Sequence, residues 1–248
     1  TCSGNNCISR DRQVSISTRH VVFAAAENGA LPGGKVGGVA DVIHDLPIAL
    51  TQQGWQATVV TPSYDMFHKL AGATAIASVD VWFRGAEHEI DVYEVPGNNG
   101  EVRNIVFEHP FFSPQGPGKI YCSDAPHEPH ATDASKFALF GTALAAWLLG
   151  RDRLPDALHL QDWHLGFYFI LRQFAAGFSE LRDIRTVFTI HNLAYQGIRP
   201  YAGHEASLEA WFPDLRYTHS SIRDPDLAQR AVGDHPRGDA AAFDVNDA

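Results

Sequence analysis

The segment from His20 to Leu50 constrains this chain more than any other, because it carries three structural signals in an order that few folds accept. His20-Val21-Val22-Phe23-Ala24-Ala25-Ala26 is a short, nearly continuous apolar run closed by Glu27-Asn28-Gly29, the pattern of a strand buried on both faces of a parallel sheet. Gly33, Gly34, Gly37 and Gly38 follow, with Lys35 among them; glycine permits backbone angles and close approaches that a Cβ forbids. Val39, Val42, Ile43, Leu46 and Leu50 then recur at helical spacing. Strand, glycine turn and helix open a βαβ unit, and Gly54 is placed to cap the helix before a second strand over residues 56–61. The expected fold class is α/β, a doubly wound, mostly parallel sheet.

A helix that starts just after glycines points unpaired N–H groups and the positive end of its dipole into the loop, where an anion can be held, and Lys35 adds a full charge. The spacing fits neither GxxxxGK[ST] nor GxGxxG, which disfavours a nucleoside triphosphatase and a dinucleotide enzyme. Spacing alone leaves two possibilities open, an anion site or a tight turn with a solvated lysine. Asp41, one turn into the helix, is equally a partner for the dipole.

Further along, residues 63–70 suit a short helix, and residues 74–83 and 88–95 alternate polar and apolar side chains across a turn at Gly85, an antiparallel hairpin inserted in the unit. After a second turn at Gly97-Asn98-Asn99-Gly100, residues 102–107 form a third strand that extends the meander or rejoins the main sheet. Residues 109–131 hold five prolines and read as a long surface loop, the kind that tends to carry function. A helix capped by Thr132 and ended by Gly150 follows, with a broad apolar face from Phe137 to Leu148.

Ala157-Leu158-His159-Leu160-Gln161 is a short buried strand with Asp162-Trp163-His164 at its carboxyl end, before a helix over residues 165–176. Residues 185–190 repeat the pattern, with His191-Asn192 at the strand end and Gly197 soon after. Ligands of open parallel sheets bind outside the carboxyl ends of the strands, so the clusters at 35–41, 162–164 and 191–192 are expected on one rim. Leu208, Trp211 and Phe212 suit one helical turn. The polar leader, residues 1–18, and the tail, residues 218–248, are expected to be disordered.

Bulk properties narrow the function. The 45% apolar content is that of a globular protein, and the net charge of −10, with no run of Lys or Arg, argues against nucleic acid or an anionic membrane as partner. No apolar segment is long enough to span a bilayer and no signal-peptide core precedes Val14, which makes the cytosol the default location. Cys2, Cys7 and Cys122 are odd in number and lack CxxC spacing, so reduced thiols are the simpler expectation. No metal is expected either: His159 with Asp162 and His164 does not complete a ligand set, and His127-x-x-His130 is equally thin.

Three motifs together go further. Lys35-Val36-Gly37-Gly38-Val39-Ala40-Asp41-Val42 with Leu46-Pro47, then Gln161-Asp162-Trp163-His164, then Phe188-Thr189-Ile190-His191-Asn192-Leu193-Ala194-Tyr195-Gln196-Gly197 resemble, in that order, the bacterial glycogen synthase and plant starch synthase family. Thr132-Asp133-x-x-Lys136-Phe137-Ala138-x-Phe140 is similar to a helix of the same family, and the resemblance covers residues 19–217. Val39 stands where the family usually has leucine, and the likeness is lost from Pro225 on.

The resemblance implies a GT-B glycosyltransferase, two Rossmann-like domains facing across a cleft, that transfers glucose from ADP-glucose, or another nucleotide-glucose, to the non-reducing end of an α-1,4-glucan with retention and needs no cofactor. This chain resembles the N-terminal domain alone, with the C-terminal domain absent, and is expected to be inactive by itself. Carried over by position, the resemblance puts Lys35, Gly37 and Gly38 at the donor phosphates and Asp41 on the sugar or acceptor side of the cleft. It borders the acceptor and glucose pocket with Asp162, Trp163 and His164, brings His191 and Asn192 to the transferred glucose, and leaves Tyr121 in the loop above. Asp162 and His191 are the expected catalytic pair. The alternative is a non-catalytic glucan-binding or regulatory module derived from that domain.

Overall fold

The computed structural model describes residues 18–215 and the two-residue strand Ala242–Phe243. Cys2 and Cys7, the leader up to residue 17, and the tail apart from Ala242–Phe243 lie outside the described residues, as does Pro225.

The chain begins as its periodicity dictates. Strand β1 is His20–Ala24, helix α1 is Gly38–Thr51 and strand β2 is Gln56–Pro62. β1 and β2 pair in parallel from His20 opposite Gln56 to Ala24 opposite Val60. Val22 and Ala24 join one apolar cluster while Val21 and Phe23 join a second on the other face, which is why the run shows no alternation. β3 (Thr74–Phe83) and β4 (Ala86–Val95) form the hairpin. Arg84 and Gly85 both have positive φ, 53° and 72°, the backbone a two-residue hairpin turn requires.

β5 (Arg103–Glu108) does both of the things its position allows, pairing antiparallel with β4 and parallel with β2. Helix α2 (Ala131–Leu149), β6 (Ala157–Gln161), helix α3 (Gly166–Phe174) and β7 (Arg185–Thr189) complete the core, and the seven-stranded sheet runs β3-β4-β5-β2-β1-β6-β7. A minor pairing of β8 (Arg199–Pro200) with β9 (Ala242–Phe243) and a single turn, α4 (Leu208–Trp211), follow. α2 and α3 cover the sheet face that presents Val22 and Ala24, and α1 covers the other through Ile43. This is the mostly parallel, doubly wound α/β sheet with an antiparallel insertion that the sequence pattern calls for.

The local departures have local causes. Residues 63–70 form only a 3-10 turn at Phe67–Lys69, because Tyr64 and Asp65 both sit at φ 53° and break helical geometry. Thr132 does not cap α2: the cap position is His130, at φ 63°, and Asp124 accepts from the Thr132 N–H at 2.9 Å and its hydroxyl at 2.6 Å. α1 ends at Thr51 with Gln52 as its cap, two residues before Gly54, which takes φ 80° in the turn that follows. The helix after β6 starts at Gly166, behind a 3-10 turn at Trp163–Leu165. β7 lies at the sheet edge, and its Val187 is exposed.

Candidate functional site

At the carboxyl end of β1 the glycine loop folds tightly on itself. A Cβ on Gly34 would lie 2.1 Å from the carbonyl oxygen of Asn28, so this glycine is required by packing. Gly38 differs, since a Cβ there would meet nothing within 4 Å. The loop already holds an anion of its own. Glu27, 2% exposed, accepts from the Val36 N–H at 2.8 Å and the Gly37 N–H at 2.6 Å through one carboxylate oxygen, and from the Tyr121 hydroxyl at 2.8 Å through the other. Two N–H donors next to the helix start are thus satisfied internally, and α1 begins at Gly38 with no side-chain cap. Lys35 pairs with Asp41 at 2.6 Å, and both side chains stay more than half exposed, a geometry worth little to stability.

The loop over residues 109–130 reaches the same rim through Tyr121. Its ring centroid lies 5.5 Å from that of His164, which also packs against Phe137 and Trp163 at 4.4 Å each. Burial pushes the Tyr121 phenol well above its ordinary range, and the Glu27 carboxylate adds to that. Burial pushes the His164 imidazole down to about 3, with the Lys136 cation contributing, so His164 is neutral and structural in character, holding Trp163 and Phe137 in place.

At the end of β6, Asp162 adopts φ 62° and ψ 175°, a conformation disfavoured for a residue with a Cβ. Its carboxylate accepts from the Trp163 N–H at 2.9 Å, and its own N–H donates to the Thr189 carbonyl at 2.7 Å, so β6 and β7 hold it in that pose. Burial raises the carboxyl above its usual range, and the Trp163 N–H opposes this. His191, on the exposed rim after β7, makes a 2.7 Å contact through Nε2 with Gln161 Oε1. Gln161 is fully buried, and its Nε2 has no partner. Asn192 turns its Oδ1 to the Ala194 N–H at 2.8 Å, which shapes the loop. The loop closes at Gly197, φ 64°, flat against the Trp163 indole.

One connected group therefore runs from the glycine loop through Glu27, Tyr121, His164 and Trp163 to Gly197, and beside it lie Gln161, Asp162 and His191. Lys35 and Asp41 stand on the same β1 lip and bond to each other. Sequence reasoning missed Glu27 and Gln161. Glu27 had a signal: a lone carboxylate at the end of a buried apolar strand needs donors, and the adjacent loop offers them. Gln161 had none beyond its place before Asp162.

Three neutral imidazoles give the fold a definite acid limb. His20 and His109 are held at about 4 and His164 at about 3, mainly by burial, against an ordinary 6.5. The unfolded chain binds protons that the folded chain refuses between these values, so stability rises with pH there. Melting temperature is expected to be level between pH ~7 and ~8 and to fall as pH drops from ~6.5 to ~4, and His164→Gln should flatten that fall. Calorimetric scans across the range check this; an unchanged melting point down to pH ~4.5 would refute it.

Among the described residues no helix is long and apolar enough to cross a membrane. Residues 20–232 match the family model described as the starch synthase catalytic domain. The chain is 33% identical over 178 residues to a glycogen synthase of Gloeobacter violaceus, covering 71% of this chain and 34% of that protein. It is 34% identical over 181 residues to a glycogen synthase of Anaeromyxobacter dehalogenans, covering 73% and 36%. The chain thus spans about a third of the length of these curated relatives. Its fold matches the catalytic domain of starch synthase IV from Arabidopsis thaliana, solved bound to ADP and acarbose, with a TM-score of 0.66 at 22% identity over 92% of this chain and 42% of that one. The motifs, the sheet and these matches agree, and the chain belongs to the starch synthase catalytic domain family.

Proposed function

We propose that residues 19–217 form the acceptor-side domain of a glucosyltransferase that moves glucose from ADP-glucose to the non-reducing end of an α-1,4-glucan with retention. A second domain of the full-length enzyme closes the cleft from the other side. The observation that carries this reading is the gathering of a helix start without side-chain cap, Lys35, Asp41, Asp162 and His191 at the carboxyl ends of β1, β6 and β7 in a chain of this family. The names of the relatives and the ADP bound to the Arabidopsis protein support the donor and acceptor classes.

Departure of a nucleoside diphosphate leaves positive charge on the sugar and negative charge on the leaving group, so cationic and N–H donors belong beside the phosphates. Lys35 and the first-turn amides at Gly38 fill that role, and Gly38 leaves the approach open. Glu27 sets the loop's shape by holding Val36 and Gly37, so Gly37 acts through its backbone position. Asp162 and His191, each fixed by neighbouring groups, serve the reacting glucose, with Asn192 beside them; Trp163, His164 and Tyr121 form the wall behind. Lys35 must leave Asp41 to meet a phosphate, an exchange that an exposed pair makes at small cost. A cytosolic setting with reduced thiols fits a phosphorylated-sugar donor and the free Cys122.

Two measurements test the proposal. The isolated polypeptide should incorporate no glucose from ADP-glucose into glycogen, and turnover by it would overturn the division of labour. In the full-length enzyme, Lys35→Ala should lower kcat/KM for the donor about tenfold, the loss of one charge-assisted phosphate contact; unchanged donor kinetics would remove Lys35 from the phosphates.

A further inference from the structure

The pole of the sheet opposite the rim carries a second constellation. A pocket of about 520 Å³ opens between the first residues of β1 and β2, strand β3 and the turn after α2, lined in part by His20, Gln56, Ser78, Trp147 and Arg151. Arg151 and Arg153 line it, and the charge of Arg103 is felt at His20 and Arg151 from beyond the lining. Arg103 pairs with Glu94 at 2.6 Å and Arg153 with Asp156 at 2.9 Å. Arg151 has no such partner: it is partly buried, stacks over the Trp147 ring at 4.5 Å, and its Nε is buried with no acceptor among the described residues. Asp152, next in the chain, is the carboxylate that acts on it most, and Arg103 repels it.

His20 reports the field in the pocket. Its Nε2 contacts Thr58 Oγ1 at 2.9 Å. Burial depresses its imidazole most, and Arg151, Arg103 and Arg153 each depress it further against the opposing Asp156. Asp152 also lines the pocket, so its formal charges are near balance; what sets it apart in a protein of net charge −10 is a guanidinium outside any ion pair, stacked on Trp147, with a donor that has no acceptor among the described residues.

We propose that this pocket is an anion site for a phosphoryl group, bound by the Arg151 guanidinium with the Gln56 amide and Ser78 hydroxyl as further donors. Guanidinium geometry matches a phosphate by paired N–H bonds. The volume exceeds that of a bare ion, and Ile76 and Val79 supply an apolar wall, so a monoester as well as free phosphate has room. The site is independent of the rim and of the reaction assigned to it.

The test is a titration of the chain with inorganic phosphate, followed by NMR of the His20 imidazole at ionic strength matched with chloride. The expected result is a saturable change and a rise in the His20 pKa as the bound anion offsets the three guanidiniums. Arg151→Gln should weaken the response about tenfold or more, as the loss of a charge-assisted bond does. Arg151→Lys, which keeps the charge without the fork, should fall between, and it serves if the glutamine variant does not fold. No saturable response in the unaltered chain, or one undiminished in the variants, overturns the site. A parallel titration with glycerol phosphate separates the sources: tighter binding than inorganic phosphate assigns a monoester, equal or weaker binding the free ion.

Discussion

Gly197→Ala is expected to lower the stability of this domain by about 3 kcal/mol or more, a drop in melting temperature on the order of 10 °C for a chain of this size. Two costs combine. The residue sits at φ +64°, where a side chain costs about 1 kcal/mol or more. The added Cβ would also fall 2.1 Å from Cε3 and 2.6 Å from Cδ2 of Trp163. That indole is nearly buried and wedged against Phe137 and His164, so it has nowhere to move. Gly203→Ala provides the control, because Gly203 has φ +77° but open space around its Cβ position; it should cost only the backbone penalty. If the two variants melt together, Gly197 is a turn glycine and nothing more. In the glucosyltransferase proposed above, Gly197→Ala should also depress activity, since the loop it closes begins at His191.

The same residue shows how far sequence reasoning reaches. Gly197 stands out in a motif, yet the plane it must lie against is 34 residues away in the chain, and only the packing of the loop on β6 reveals it. Elements governed by local periodicity were legible: β1, α1, the β3–β4 hairpin, α2 and β6 lie where apolar spacing and turn residues place them. The rim was legible because parallel strands deliver their carboxyl ends to one side. What was hidden depends on partners distant in sequence. Glycines 37 and 38 suggest an external anion, but the carboxylate on the loop amides is Glu27, ten residues back from Gly37. Thr132 has the composition of a cap, yet Asp124 from the preceding loop takes that place. His164 lies in a motif that suggests a place at the site, and its near-complete burial against Phe137 and Trp163, which no spacing shows, makes it a support for that indole as well.

Lys136→Met is expected to cost about 3–5 kcal/mol, the range for removing one partner of a buried ion pair. Lys136 is 1% exposed, and its ammonium donates to Asp133 at 2.7 Å and to the Ile120 carbonyl at 2.5 Å, with the Phe137 ring 4.9 Å away. Asp133, 2% exposed, also accepts from the Cys122 N–H at 3.0 Å. The pair therefore ties the loop at residues 120–122 to the first turn of α2, and this is the loop that carries Tyr121 to Glu27. Methionine fills the volume but strands a buried carboxylate with Cys122 as its remaining partner. The double variant Asp133→Asn with Lys136→Met removes both charges and keeps an acceptor for Cys122, so it should recover a large part of the loss. A double-mutant cycle by chemical denaturation measures the coupling, which should exceed about 1 kcal/mol and persist at high salt because the pair is shielded from water. Additive single losses would show that packing rather than charge makes Lys136 important. A second signature separates the two cases. The Lys136 cation also helps keep His164 neutral, so the charge-free variant lets the folded chain take up that proton more readily and should make the acid limb shallower, while a pure packing defect lowers the melting curve at every pH alike.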